Sequence, residues 1–164
     1  MDIKIVAAIG RGKTLLSSFD NALQGCGVCN YNLIPLSSVI PPKTTIIIDE
    51  PYTTPDDHFG HKLYVVKAEE RSAHVGRAIG AAIGWVQRPD GSGLFVEHET
   101  SGASESVVKE TLKTLVVDSL TDLCTFRKID FKYSDIQMKY VTTTVKDTPT
   151  CALVLATYQA EGWE

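Results

Sequence analysis

Asn32-Leu33-Ile34-Pro35-Leu36-Ser37-Ser38-Val39-Ile40-Pro41-Pro42 is the stretch on which the reading of this chain turns. Two adjacent hydroxyls sit in an apolar run that ends in a double proline. Proline lacks an N–H and holds the preceding residue extended, so Pro41-Pro42 excludes helix at this point. A polar break between two strands accounts for the serines. A second reading uses their chemistry. The Ser38 hydroxyl can attack the Ser37 carbonyl and shift the chain to an ester. β-Elimination then frees Ser37 as a new C-terminal carboxylate. The dehydroalanine left at position 38 hydrolyses to a pyruvoyl group with loss of ammonia. That step needs a strained, rigidly held peptide, which apolar neighbours and the two prolines can provide. The residues permit this second reading without selecting it.

The flanking segments alternate between strand-like and helix-like patterns. Residues 3–9 read as a buried strand, followed by a turn at Gly10 and Gly12. Residues 15–24 place Leu16, Phe19 and Leu23 on one helical face, with Gly25 and Gly27 ending the helix. Residues 31–36 are extended, 44–48 are β-prone, 51–61 are loop-like and 62–67 form a strand. Residues 70–82 are rich in small side chains and predict a helix ending near Gly84. Asp90-Gly91-Ser92-Gly93 is a turn before a strand at 94–99. Ser104 is placed to cap a helix over 105–123, with Val108, Leu112, Leu115 and Val116 along one side. Two late strands are expected near 132–145 and 150–158. No repeat or low-complexity linker interrupts the pattern, which implies one α/β or α+β domain over residues 1–164.

Composition bounds the function. The chain has 164 residues, 43% hydrophobic and 22% charged, enough for a real core. Its net charge of −4 offers no basic footprint for nucleic acid, so no nucleic-acid partner is expected. No run approaches the ~18 apolar residues needed to span a bilayer, and residues 1–9 lack the basic start of a signal peptide. No membrane partner and a cytoplasmic location are therefore expected, with Cys26, Cys29, Cys124 and Cys151 reduced.

Two further motifs compete for attention. Ala7-Ala8-Ile9-Gly10-Arg11-Gly12-Lys13-Thr14 fits a relaxed phosphate-binding loop between a strand and a helix. Ile46-Ile47-Ile48-Asp49-Glu50 resembles the strand-end acid that holds magnesium, so a nucleotide hydrolase using Lys13 and Asp49 is one alternative. A glycine turn with an exposed lysine explains the same residues more simply. Cys26-Gly27-Val28-Cys29 with His58-Phe59-Gly60-His61 has loosely zinc-like spacing. Small residues at a connection between apolar segments explain it better, and no metal is expected.

Beyond these motifs, the sequence resembles the pyruvoyl-dependent arginine decarboxylases nearly end to end. The likeness rests on Phe19-Asp20-Asn21-Ala22-Leu23, on Asn32-Leu33-Ile34 with Ser37-Ser38 and Pro41-Pro42, on Gly93-Leu94-Phe95-Val96-Glu97, and on residues 143–152 before the last strand. The serine motif with its asparagine and double proline is the most specific part. The resemblance implies a four-layer αββα sandwich of the α+β class, usually a homotrimer with active sites between subunits. It also implies cleavage into residues 1–37 and 38–164, with Ser38 becoming the covalent pyruvoyl group and Ser37 the end of the small chain. Glu97 would donate the proton that quenches the carbanion at Cα, Asn32 would help hold the cleavage site, and Asp20 would contact the cationic end of the substrate. The implied reaction takes L-arginine to agmatine and CO2 through an imine with the pyruvoyl ketone. A carboxyl donor near neutral pH should be buried, which is the setting expected for Glu97. The same chemistry on another amino acid, and a non-catalytic relative that stays uncleaved, are the remaining alternatives.

Overall fold

In the last strand, β9 (Thr150–Glu161), both faces are apolar. Ala152, Val154 and Ala156 enter one core, while Cys151, Leu153 and Leu155 enter another. Side chains alternate across a strand, so β9 must be covered on both sides. The same holds for β6 (Ala78–Gln87): Ile79, Ala81, Ile83 and Trp85 face one way, Ala78, Ala82 and Val86 the other. Two such strands in different sheets require layers, and the structure has four of them.

The structure is a computed structural model that describes all 164 residues. The first sheet runs in the order β2 (Asn32–Pro35), β5 (Lys62–Ser72), β9, β1 (Asp2–Arg11) and β4 (Thr45–Ile48). The second runs β3 (Val39–Ile40), β7 (Gly93–Gly102), β6 and β8 (Gln137–Thr144). α1 (Leu15–Gly25) covers the first sheet and α2 (Glu105–Arg127) the second. One core lies between the sheets, around Ile5, Val154, Trp85 and Phe95. A second lies under α1 and a third under α2. This is the αββα sandwich that the resemblance implied. No helix is long and apolar enough to cross a membrane.

Residues 70–82, expected to be helical, are instead the end of β5 and the start of β6. The small side chains there belong to helix docking rather than helix formation. Gly80 and Gly84 face α2, and a methyl added at Gly80 would sit 2.6 Å from Val108 Cγ1. One at Gly84 would overlap Val116. Glycines on that face let α2 seat Val108, Leu112, Val116, Leu120 and Cys124 directly on the sheet. Each of the larger side chains so buried contributes roughly 1.5–3 kcal/mol.

α1 departs from its expected face for a similar reason. Leu16 is 69% exposed, and the buried residues are Ser18, Ala22 and Leu23. A methyl at Gly10 would run into the Ser18 carbonyl and the Ala22 backbone, so the helix rests on bare β1 backbone there. Small residues, not Leu16, make that contact. Thr14 caps the helix: its Oγ1 accepts from Ser17 N, and Ser17 Oγ accepts from Thr14 N, both at 3.0 Å. Such a cap stabilises a helix by about 1 kcal/mol. Ser104 caps α2, as its sequence position predicted, although the helix runs four residues further, to Arg127.

Candidate active site

β2 ends at the edge of the first sheet, and β3 begins at the edge of the second. Residues 36–38 are therefore the crossing between sheets, tied at both ends. Leu36 N donates to the Val65 carbonyl at 2.8 Å, and Phe95 N donates to the Ser38 carbonyl at 2.8 Å. Pro41-Pro42 then directs the chain away toward β4 at the far edge of the first sheet. A short linker pinned to two rigid sheets has little freedom to relax.

Ser38 carries the consequence. Its φ is 35°, in the left-handed region that a residue with a side chain rarely adopts. Val39 N donates to the Ser37 carbonyl at 2.6 Å, closing a three-residue turn around Ser38. Strain of this kind costs about 1–3 kcal/mol and persists only where the surroundings impose it. The half-buried Ser38 then donates its hydroxyl to Glu97 Oε2 at 2.7 Å. Glu97 reaches it from β7, where Phe95 and Glu97 share one face of the strand.

The chemical capacity of this group is specific. A carboxylate accepts the proton of a hydroxyl nucleophile, and a backbone N–H sits on the neighbouring carbonyl where negative charge would develop on attack. These are the parts of a general base and an oxyanion donor. Both are placed at the peptide between Ser37 and Ser38, beside the strained Ser38 backbone. Ser37 is exposed and contributes its carbonyl.

Glu97 is exposed in the single chain, contrary to the burial expected of it. It lies on β7 beyond Leu94, where β3 no longer pairs and β7 is the edge of its sheet. The shallow depression around Ser38, Phe95, Glu97, His98, Ser119 and Leu123 measures ≈ 170 Å³. Ligand pockets are typically about 300–1,000 Å³, so this depression is smaller than an ordinary ligand pocket. Behind it, His98 Nε2 is hydrogen-bonded to Ser119 Oγ of α2 at 2.8 Å.

Tyr158 of β9 belongs to the site, and sequence reading missed it. Its hydroxyl donates to the Val39 carbonyl at 3.0 Å, and its ring packs edge-on against Phe95 at 6.2 Å. Burial first, then the Glu97 charge, pushes the Tyr158 hydroxyl above its ordinary range, so it stays protonated. A tyrosine near the end of an apolar strand carries no local sign of such a role.

The other expected residues lie elsewhere within the chain. Asn32 opens β2, and its Nδ2 donates to the Gly60 carbonyl at 2.8 Å, alongside Trp163 Nε1 at 2.8 Å. It ties down the 58–61 loop rather than touching Ser38. Asp20 is exposed on α1, the outer layer on the opposite side of the first sheet from the turn at Ser38, and forms no ion pair.

The competing motifs come apart in three dimensions. β4 pairs with the start of β1, Ile5 beside Ile48, whereas Lys13 follows the other end of β1. Asp49 and Lys13 are thus separated by roughly 20 Å of strand, too far to share one phosphate–magnesium group. Asp49 is ion-paired with Lys139 instead. Cys26 is buried in the core under α1, while His58 stacks on His61 at 4.8 Å and bonds Tyr31 Oη at 2.7 Å. These four side chains form no metal-ligand cluster.

The family model described as pyruvoyl-dependent arginine decarboxylase matches residues 2–161. A pyruvoyl-dependent arginine decarboxylase of Picrophilus torridus is 31% identical over 140 residues, covering 81% of this chain and 73% of the relative. The protein of that name from Pyrococcus furiosus is 30% identical over 149 residues, covering 91% and 89%. The one from Thermococcus kodakarensis is 31% identical over 152 residues, covering 92% and 90%.

Proposed function

Since this chain belongs to the pyruvoyl-dependent arginine decarboxylase family, we propose that it cleaves itself between Ser37 and Ser38 and then converts L-arginine to agmatine and CO2. The observation that carries the proposal is the Ser38 hydroxyl on Glu97 at 2.7 Å, inside a turn with φ 35°. A structural serine needs neither the strain nor the carboxylate.

Glu97 takes the hydroxyl proton as Ser38 Oγ bonds to the Ser37 carbonyl carbon. The charge on the Ser37 oxygen is held by Val39 N–H. The Ser37–Ser38 C–N bond then breaks, leaving an ester and a free amine. Loss of the Ser38 Cα proton expels Ser37 as a carboxylate. Water adds to the remaining dehydroalanine, and ammonia leaves. The net change consumes one water and releases one ammonia. Relief of about 1–3 kcal/mol of turn strain along the way is worth roughly five- to 150-fold in rate.

The pyruvoyl group so formed supplies an electron sink for loss of CO2 from an amino acid. Around it, Glu97 holds the proton that replaces CO2 at Cα, and Phe95 and Leu123 form an apolar wall. Asp20 receives the cationic end of the substrate, and Asn32 steadies the cleaved strand. Asp20 lies across the first sheet from Ser38, and the depression at Ser38 is open. This supports a site completed by a neighbouring copy in a homotrimer. Four free thiols support a reducing, cytoplasmic setting.

Intact mass spectrometry tests the first half. Two pieces, 1–37 and 38–164, are expected from the parent, and one whole chain from Ser38→Ala. A parent that stays whole refutes self-cleavage and leaves a non-catalytic relative. Assays of CO2 release across basic amino acids test the second half. Absence of agmatine from arginine, with another amino acid consumed, moves the activity to that substrate.

A further inference from the structure

Every carbonyl of the cleavage turn is held, and one of the three donors is a side chain. Val39 N–H holds the Ser37 oxygen at 2.6 Å, Phe95 N–H the Ser38 oxygen at 2.8 Å, and Tyr158 Oη the Val39 oxygen at 3.0 Å. We propose that Tyr158 is a positioning residue for self-cleavage: its hydroxyl anchors the Val39–Ile40 peptide through the Val39 carbonyl and so fixes Val39, whose N–H holds the Ser37 carbonyl under Ser38 Oγ. This inference rests on the self-cleavage reading above.

The fold aims Tyr158 through a bulge. In the β5–β9 ladder, Tyr64 pairs with Gln159 and Val65 with Thr157, so Tyr158 is the unpaired extra residue. Before the bulge, the even positions Ala152, Val154 and Ala156 face the space between the sheets, and Tyr158 packs on that same core. After it, Ala160 packs on the opposite core, under α1. The alternation therefore switches at this residue. Bulges of this kind occur beside active sites, where they re-aim a side chain. Here the bulge frees Tyr158 from ladder pairing at the rim of the first sheet and lets it reach across to the edge of the second. The bond it makes there spans 119 residues of sequence. It is the only side chain that clamps the backbone of residues 37–39.

The clamp matters because attack depends on angle. Ser38 in a left-handed conformation is the unfavoured state, so the turn relaxes unless its flanks resist. Phe95 N–H holds the Ser38–Val39 peptide and Tyr158 the next one, so two successive anchors follow the scissile bond. Without Tyr158 the Val39 carbonyl loses its donor, and Val39 can shift and draw its N–H off the Ser37 oxygen. Losing the clamp thus lowers the population of attack-ready turns before any bond changes.

The test uses full-length chain made by pulse-labelled cell-free synthesis and followed on denaturing gels, for the parent and Tyr158→Phe. Phe keeps the contact with Phe95 and removes only the donor. Cleavage of the variant is expected to slow roughly five- to ten-fold, the worth of one hydrogen bond. Added hydroxylamine, which traps the ester, is expected to leave that gap in place, because the defect precedes ester formation. In the uncleavable Ser38→Ala background, Tyr158→Phe is expected to move the melting temperature by no more than about 4 °C. Equal cleavage rates overturn the proposal, as does a hydroxylamine-restored rate, which puts the defect after the ester. A collapsed melting temperature also overturns it, because Tyr158 is then merely structural. A parent that never cleaves overturns the self-cleavage reading itself, whereas a cleaving parent matched by the variant overturns only the role of Tyr158.

Discussion

Replacing Glu97 by Gln removes one proton acceptor and little else. The side chain keeps its length and can still accept a hydrogen bond from Ser38 Oγ, now 2.7 Å from the carboxylate. It cannot take the proton. Loss of a positioned general base typically costs 10²- to 10⁴-fold, and that is the expected slowing of self-cleavage. The turn at Ser38, with φ 35°, and the Val39 N–H on the Ser37 carbonyl are untouched. Their contribution remains, so the variant should still cleave slowly rather than stop. Glu97 is exposed within one chain, so the substitution leaves the fold of that chain intact. Exposed substitutions usually change stability by no more than about 0.5 kcal/mol, far less than the expected 2.7–5.4 kcal/mol in the barrier. The assay is the fraction of whole chain by intact mass after rapid purification, followed in time, with a thermal melt as control. Cleavage at the parent rate with an unchanged melt would show that the proton goes elsewhere and refute the assignment. Glu97→Asp, which withdraws the carboxylate by about 1 Å, should fall between the two.

Three further outcomes follow from the packing. Gly84→Ala puts a methyl into Val116 of α2, in a core with no slack, and should destabilise the fold by about 1–3 kcal/mol in a denaturant titration; an unchanged midpoint would mean that α2 shifts freely on the sheet. Burial pushes the thiols of Cys26 and Cys151 from 9.0 up to about 12, so at pH 8 only about one native molecule in 10⁴ holds either as thiolate. Iodoacetamide on the native protein should then label the half-buried Cys29 and spare these two, as read by peptide mass. The same shift fixes a stability window. Below pH 9 both states keep these protons; between pH 9 and 12 the unfolded chain ionises while the folded one does not, so stability should fall as pH rises through that range. A flat unfolding midpoint from pH 8 to 11 would contradict it.

Much of this fold was legible in periodicity, because burial on one or both faces of a strand is written directly in alternating side chains. The β1, β9 and α2 segments were found that way, and the serine pair before Pro41-Pro42 stood out by local chemistry alone. The stretch 70–82 was misread because small residues favour a helix locally, yet here they make room for a different helix 30 residues away. Leu16 was misplaced for the same reason: which face of α1 is inside depends on how closely bare backbone at Gly10 lets it approach.

The site divides along the same line. The sequence by itself determined the reactive groups, since a hydroxyl beside a peptide carbonyl and a carboxylate on a later strand are matters of residue type. Tertiary structure decided what they can do. Ser38 and Glu97 are 59 residues apart, and only the pairing of β3 with β7 sets them 2.7 Å from each other. The left-handed Ser38 arises because a three-residue crossing must join the edges of two sheets. Tyr158 enters through a bulge that depends on the register between β5 and β9. Strain, register and long-range contact are properties of the closed structure, where distant segments constrain one another, and no local stretch of sequence holds them.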